Sequence, residues 1–115
     1  LEDLVKYLEN VNIIIEVLSQ GQTKCLSIAQ CPGSFFHPFR LDIHYVQQEN
    51  EWIPSLLYFT SGIHFNRWIR EIANKQGYKL SDKGLFKGQK RVKIASEKQI
   101  FDTLGIKFIN VNERD

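Results

Sequence analysis

One carboxylate interrupts an otherwise apolar strand pattern and is the first candidate for chemistry. Charged and apolar residues alternate in Arg40-Leu41-Asp42-Ile43, so Arg40 and Asp42 are predicted to share one face of a strand. An unpaired buried charge is costly, so this face must meet water, an arginine or a metal ion. From the residues alone, the more ordinary interpretation is that Asp42 lies at a solvent-facing strand position. The alternative, which would give it a role in chemistry, is that it binds a metal ion.

A second group of candidate residues starts with the aromatic pair Tyr58-Phe59. Residues 64 to 75 after it have apolar side chains at helical spacing on one side, and Asn66, Arg67 and Arg70 fall on the other. These three side chains can all donate hydrogen bonds. Taken alone, the pair is interpreted as two core aromatics that end a helix, and the polar face as a solvated surface.

The elements that must position these residues predict an α+β fold. A helix over 1–9 precedes three strands, the first with Ile13, Ile15 and Val17 on one face, which form an antiparallel sheet. Helices and short strands follow, and they are predicted at 52–60, 64–75, 78–80, 85–86, 91–94 and 96–104. The composition turns basic near residue 61, so we predict two domains, 1–60 and 61–115.

The charge of the chain is distributed unevenly. Residues 1 to 60 hold three Lys or Arg and seven Asp or Glu, whereas residues 61 to 93 hold nine and two. A basic segment suits a phosphate backbone, although a solvated surface is the more common meaning of charge alone. The 115 residues, 43% of them hydrophobic, are enough to bury a core, and the sequence has neither a transmembrane run nor a signal-peptide pattern.

The two cysteines predict free thiols. Cys25 and Cys31 are six residues apart in a predicted strand over 23–31, which separates them by roughly 20 Å in an extended chain. A disulfide requires α-carbons within about 7 Å. We therefore expect both to be reduced, in a reducing compartment, and no structural zinc site.

The order of the short motifs resembles the C-terminal part of family X DNA polymerases, in particular the beta-like or lambda-like members. The motifs are Arg40-Leu41-Asp42-Ile43, Tyr58-Phe59-Thr60, Phe65-Asn66-Arg67, Gly77-Tyr78-Lys79-Leu80 and the closing Glu113-Arg114-Asp115. The resemblance runs from about Leu4 to the last residue. It implies the later part of a nucleotidyltransferase palm followed by the nucleotide-selecting subdomain, which is called thumb or fingers.

The resemblance also implies roles for the acidic strand and the turn before it. Asp42 would be a catalytic residue that binds the metal ion and helps to remove the proton of the primer 3′-hydroxyl, and Arg40 would orient or neutralise it. His44 stands where many members have arginine. Thr23 and Lys24 match a segment that touches the DNA backbone.

The second group of candidates acquires roles in the same way. Tyr58, Phe59 and Ser61 match the segment that bends against the sugar of the incoming nucleotide, with Ser61 in place of the usual glycine. Asn66 would donate to the minor-groove edge of that nucleotide. Arg67 would pack on the templating base, and Arg70 would reach the template minor groove, where shared acceptors report pair geometry.

Two-metal phosphoryl transfer requires several carboxylates, and this sequence has no Asp-x-Asp pair beside Asp42. We therefore expect part of a template-dependent polymerase for short-gap repair, such as base excision repair, that is inactive as this chain alone. Its expected cofactor is Mg²⁺, or Mn²⁺ in its place. Its expected partners are primer–template or gapped DNA, deoxynucleoside triphosphates and the N-terminal remainder of the polymerase, with no membrane.

Two other interpretations remain open from the sequence. The chain could be a non-catalytic DNA-binding or assembly module derived from the same fold, or a piece that pairs with its missing N-terminal part. The helix predicted over Leu1 to Leu8 is expected to be exposed and the predicted sheet is incomplete, with an unpaired edge that invites association, and both favour the second of these. The expected location is intracellular, nuclear in a eukaryote or viral.

Overall fold

The chain divides into two compact units, Leu1–Gln47 and Gln48–Asp115. The computed structural model describes residues 1–33 and 37–115. The predicted α+β class is confirmed, since each unit combines at least one helix with a three-stranded antiparallel sheet. The two domains predicted from the change in composition, 1–60 and 61–115, stay a prediction.

The first unit packs one helix against a sheet of order β1-β2-β3. Its elements are α1 Glu2–Asn10, β1 Ile14–Gln20, β2 Lys24–Ala29 and β3 Phe39–His44. Val5 of α1, Ile14 of β1 and Cys25 of β2 are buried together, and Leu41 packs at their edge. Alternation along β2 supplies this core face, because Cys25, Ser27 and Ala29 are all buried.

The strict alternation predicted for Ile13, Ile15 and Val17 is wrong. Ile14 rather than Ile15 is buried, and Ile15 remains 48% exposed. Two register irregularities explain this difference, one between Ile14 and Glu16 and one between Val17 and Ser19. A bulge adds a residue to one strand and breaks strict alternation, which a period of two cannot anticipate.

The second unit is built on two helices, a small sheet and a third helix. Its elements are a 3-10 turn Glu49–Glu51, α2 Trp52–Phe59, α3 Ile63–Lys75, β4 Tyr78–Ser81, β5 Gly84–Lys87, β6 Lys90–Arg91, α4 Glu97–Thr103 and a 3-10 turn Val111–Glu113. The last predicted strand, 91–94, is wrong in length, because β6 ends at Arg91. Gly77 follows α3 with φ +82°, a conformation that suits glycine and ends the helix as predicted.

The core of the second unit lies between α3, α4 and the sheet β4-β5-β6. The predicted apolar stripe of α3 contributes Phe65, Ile69 and Ala73, which are buried. Trp68 lies at the border of that stripe and remains 41% exposed. The apolar side of α3 is therefore fixed against the core, and its polar side is turned outward.

Neither cysteine is in a disulfide, and the two thiols have different surroundings. Burial, with smaller contributions from the charges of Glu9 and Asp42, raises the pKa of the Cys25 thiol. Cys31 lies beyond the end of β2 and is exposed. The strand predicted over 23–31 was therefore too long at its end, while the prediction of free thiols is confirmed.

We expect the two thiols to react at different rates. Since the thiolate is the nucleophile, a raised pKa and burial both protect Cys25 at neutral pH. A charged disulfide reagent should titrate one thiol rapidly in the native chain and both in urea, with Cys31 assigned by peptide mapping. Cys25→Ser and Cys31→Ser are the matched controls. Rapid native labelling of Cys31→Ser would contradict the burial of Cys25.

Candidate functional site

An open groove of about 690 Å³ runs along the polar side of α3 in the second unit. It is lined by the aromatic pair that forms the last two residues of α2, by the turn that follows and by the outward side chains of α3. The lining residues are Tyr58, Phe59, Ser61, Ile63, Asn66, Arg67, Arg70, Glu71 and Asn74. All six residues predicted to act in this part of the chain thus lie on one surface.

The turn between α2 and α3 is held by its own hydroxyl groups. Thr60 Oγ1 donates to the Leu56 carbonyl and Ser61 Oγ to the Leu57 carbonyl, each at 2.6 Å. The Leu56 carbonyl also accepts from Thr60 N at 3.0 Å, whereas the Ser61 hydroxyl supplies a donor to the Leu57 carbonyl near the C-terminal end of the helix. The Ser61 hydroxyl is therefore engaged with the protein, and the groove meets this residue at the edge of a fixed turn.

Asn66 fastens α3 to the same turn. Its Nδ2 donates to the Tyr58 carbonyl at 3.0 Å and to the Ser61 carbonyl at 3.4 Å. Its backbone N–H donates to the Gly62 carbonyl at 3.0 Å, the first hydrogen bond of the helix. The amide side chain is thus aimed at the backbone of the last turn of α2 and of the turn after it, which its position on the polar side of the helix did not predict.

The two groove arginines differ in how they are held. The Arg70 guanidinium lies over the Tyr58 ring, 4.8 Å from its centroid, and the Tyr58 and Phe59 rings meet edge to face at 4.8 Å. Cation–π contact of this kind restricts the arginine and contributes about 0.5–1 kcal/mol at exposed sites. Arg67 is exposed. Arg70 is therefore preorganised, whereas Arg67 extends from the helix into solvent.

The first unit brings together the other predicted residues. Arg40 and Asp42 share the outward face of β3, and Arg40 Nη2 donates to Asp42 Oδ1 at 3.0 Å. Both side chains are about half exposed. Lys24 pairs with His44 in the adjacent strand and lies on the same face, while the Thr23 carbonyl accepts from Tyr45 N at 2.7 Å at the end of the sheet.

Residues 1–33 and 37–115 contain no group of three His, Cys, Asp or Glu side chains that could hold a metal ion. Magnesium in proteins is bound by several oxygen donors, and here Asp42 offers a single carboxylate already bonded to Arg40. The described residues of this chain therefore do not fit a two-metal centre by themselves.

Within residues 1–33 and 37–115, no helix is long and apolar enough to cross a membrane.

Arg114 is a structural residue that the sequence interpretation missed. Its side chain is fully buried, with Nη2 3.0 Å from Glu97 Oε2 and Nε donating to the Ile109 carbonyl at 3.0 Å. Its guanidinium lies 5.5–5.7 Å from the ring centroids of Phe65, Phe101 and Phe108. A hydropathy pattern does not predict burial of an arginine. The only signal for Arg114 in the sequence was its place in the closing Glu113-Arg114-Asp115 motif, which gave it no role.

Comparison with known proteins decides the family. The sequence model of the DNA polymerase beta thumb matches residues 55–115, more than half of the chain. The chain belongs to the family X DNA polymerases. The family X resemblance of the motifs is thereby confirmed, and the matched range contains the whole groove.

Individual family X proteins agree with this assignment. DNA polymerase lambda of Rattus norvegicus is 34% identical over 106 residues, which cover 82% of this chain. A crystal structure of Leishmania infantum polymerase beta, a ternary P/T complex, superposes with a TM-score of 0.91 at 26% identity over 99% of this chain. A ternary gap complex of the same polymerase gives a TM-score of 0.92 at 24% identity, and this match shows similarity of fold only.

The chain spans only part of these family X proteins. It covers 18% of the rat polymerase and 52% of the Leishmania chain in the P/T complex. Its similarity therefore concerns a limited region of each relative.

Proposed function

We propose that this chain is the later part of the palm and the nucleotide-selecting subdomain of a template-dependent DNA polymerase. The complete enzyme adds deoxynucleotides to a primer 3′ end in short-gap repair, in an intracellular setting. The observation that carries the proposal is the groove, which collects the aromatic pair, Asn66 and two arginines within the segment that matches the polymerase thumb. The polymerase activity of the relatives supports it.

In this proposal the groove receives the nascent base pair. The aromatic turn at Tyr58, Phe59 and Ser61 faces the sugar of the incoming deoxynucleoside triphosphate, and its backbone position is set by the two Asn66 hydrogen bonds. A rigid turn excludes a ribose 2′-hydroxyl better than a mobile turn does, because a rigid backbone cannot move to relieve the steric clash with the added oxygen. Asn66 therefore acts in part through the turn that it holds.

The arginines in this proposal contact the DNA. Arg67 is exposed and packs on the templating base, whereas Arg70, held over Tyr58, reaches the template minor groove. Minor-groove acceptors are similar in all Watson–Crick pairs, so these contacts test pair geometry rather than sequence. Thr23 and Lys24 in the first unit would bind the DNA backbone.

Asp42 in this proposal is the catalytic carboxylate that this chain contributes. It helps to take the proton from the primer 3′-hydroxyl, and Arg40 orients it through the 3.0 Å hydrogen bond. Family X chemistry is expected to use Mg²⁺, or Mn²⁺ in its place, but one carboxylate does not constitute that site. We therefore assign no metal-dependent step to this chain, and we propose that an upstream segment supplies the remaining ligands.

Gap filling on a duplex with a one-nucleotide gap tests the proposed function. The chain is assayed with magnesium and all four deoxynucleotides, first alone and then with the palm segment of a family X relative supplied in trans. We expect synthesis only after complementation. Primer extension by the chain alone would contradict the assignment of the missing carboxylates to another segment, and no synthesis in either case would contradict the polymerase assignment.

A non-catalytic DNA-binding or assembly module is the second candidate. Two observations favour it: no three-ligand metal group occurs in the ranges that the structure describes, and residues 61 to 93 hold nine Lys or Arg against two Asp or Glu. This candidate predicts salt-sensitive binding to gapped DNA that no complementing segment converts into synthesis. The same gap-filling assay therefore separates the two functions.

We expect DNA binding by this chain to weaken with rising salt, and Lys24→Ala, which removes the proposed contact with the DNA backbone, to reduce that dependence. Each phosphate-neutralising cation lost should lower the slope of log affinity against log salt by about one. Fluorescence anisotropy with labelled gapped duplex measures the slope. Lys107→Ala removes the same charge from an exposed residue outside the groove and is the control. Equal slopes for the two variants would contradict contact of Lys24 with the DNA backbone.

A further inference from the structure

The start of α3 is capped by a residue from the far end of the chain. Gly62 is the N-cap position and has no side chain to offer. The Asp115 carboxylate takes that role, because Oδ2 accepts from His64 N at 3.0 Å and Oδ1 from Phe65 N at 3.1 Å. A carboxylate at this place satisfies two unpaired N–H groups and is also favoured by the helix dipole.

The space around Gly62 shows that local and distant capping exclude each other. A β-carbon at Gly62 would overlap the Asp115 carboxylate and lie 2.9 Å from the Arg114 carbonyl oxygen. That same carbonyl accepts a hydrogen bond from Gly62 N at 2.8 Å. A serine or threonine cap at position 62 therefore cannot coexist with Asp115 in this arrangement, and α3 depends on the distant carboxylate.

Asp115 is held in place by its neighbour. The Arg114 side chain is fully buried and pairs with Glu97 of α4 at 3.0 Å. The Arg114 carbonyl also accepts from Gly62 N at 2.8 Å, so both the side chain and the backbone of this residue are held. The carboxylate of Asp115 is thus presented to α3 by a fixed anchor.

The capped end of α3 is also the end that shapes the groove. Asn66 comes directly after Phe65, whose N–H donates to Asp115, and Asn66 Nδ2 donates to the Tyr58 carbonyl at 3.0 Å. The Asp115 carboxylate is therefore linked to the aromatic turn by two hydrogen bonds, which are made by the consecutive residues Phe65 and Asn66. A shift of the first turn of α3 changes the direction in which Asn66 holds that turn.

We propose that Asp115 is a positioning residue that fixes Asn66 and the Tyr58–Ser61 turn for nucleotide selection. The inference rests on the proposed polymerase function for its substrate, a deoxynucleoside triphosphate, while the positioning itself concerns this chain alone. Asp115 is not among the residues that line the groove, so we assign it no contact with the substrate. Its effect is on the affinity for the nucleotide rather than on the chemical step.

The positioning is tested in the 115-residue chain by NMR of the Asn66 side-chain amide. We expect Asp115→Ala to shift these resonances and speed their hydrogen exchange, and Asp115→Asn, which keeps one carbonyl acceptor, to change them less. Ser96→Ala is the matched control, since it removes the side-chain cap of α4 without touching α3. Unchanged Asn66 resonances in Asp115→Ala, or equal changes in Ser96→Ala, would overturn the inference.

The consequence for selection is tested by gap filling with the complemented polymerase. Asp115→Ala should raise the KM for the correct deoxynucleotide about fivefold, the scale of one helix cap, and leave kcat within about twofold. Discrimination against a ribonucleotide should fall, and Asp115→Asn should restore part of both. Ser96→Ala, with a similar loss of stability, should leave KM unchanged, and an equal rise in both variants would overturn the inference. No synthesis by the wild type would instead refute the polymerase assignment, and the NMR measurement would still decide the positioning.

Discussion

Replacing Arg114 with alanine is expected to lower the free energy of unfolding of the second unit by about 3 kcal/mol. The substitution removes a fully buried guanidinium, leaves the Glu97 carboxylate without its partner and opens a void between three aromatic rings. Glu97 is partly exposed, so water relieves some of the penalty and places the value at the lower end for a buried pair. Both tryptophans lie in the second unit, so tryptophan fluorescence in urea reports on it.

The matched control for this prediction is Lys98→Ala on the same helix. Lys98 and Asp102 form an exposed i,i+4 pair at 3.5 Å, and such pairs contribute at most about 0.5 kcal/mol. The two substitutions each remove one positive charge next to α4, but only one of them disturbs the core. If their urea midpoints moved by the same amount, the buried pair would not be the main anchor of the closing segment.

Replacing Asp42 with alanine is expected to reduce gap filling by about 10²–10⁴-fold, the range for loss of a general base. Stability should change by less than about 1 kcal/mol, because the Arg40–Asp42 pair is about half exposed. A large loss of rate with little loss of stability is the mark of a chemical role. Single-turnover rates in the complemented polymerase and urea unfolding of the chain measure the two quantities.

Glu16→Ala is the control for the Asp42 substitution. Glu16 is an exposed carboxylate on β1 of the same sheet, and its removal changes the net charge equally. We expect this variant to retain the wild-type rate of gap filling. If Asp42→Ala retained it as well, Asp42 would be the solvent-facing strand residue of the ordinary interpretation.

Periodic patterns predicted the parts of the fold that depend on one element at a time. The apolar stripe of α3 and the alternation of β2 each place their side chains on one face, so burial follows from spacing. Gln99 shows the limit of such local rules. Gln99 N donates to Ser96 Oγ as a capping box predicts, yet the Gln99 side chain accepts from Ala95 N rather than from the Ser96 backbone.

The features that the sequence did not predict depend on contacts between distant residues. The Asp115 carboxylate caps a helix that starts about 50 residues earlier, and no local spacing connects the two. The bonds from Asn66 to the aromatic turn require the actual angle between α2 and α3. The sequence pattern placed Asn66, Arg67 and Arg70 on one polar surface. It did not predict the contacts that fix the Asn66 and Arg70 side chains in the groove.

The exclusion between Gly62 and Asp115 limits the order in which their codons can change. A serine gained at position 62 while Asp115 is present meets an occupied space, and an alanine gained first at position 115 leaves α3 without a cap. Either single step passes through a destabilised protein, whereas the double replacement exchanges one cap for another. Among relatives of this chain, the two positions should therefore be inherited as a pair, and a recombination point between them should be rare.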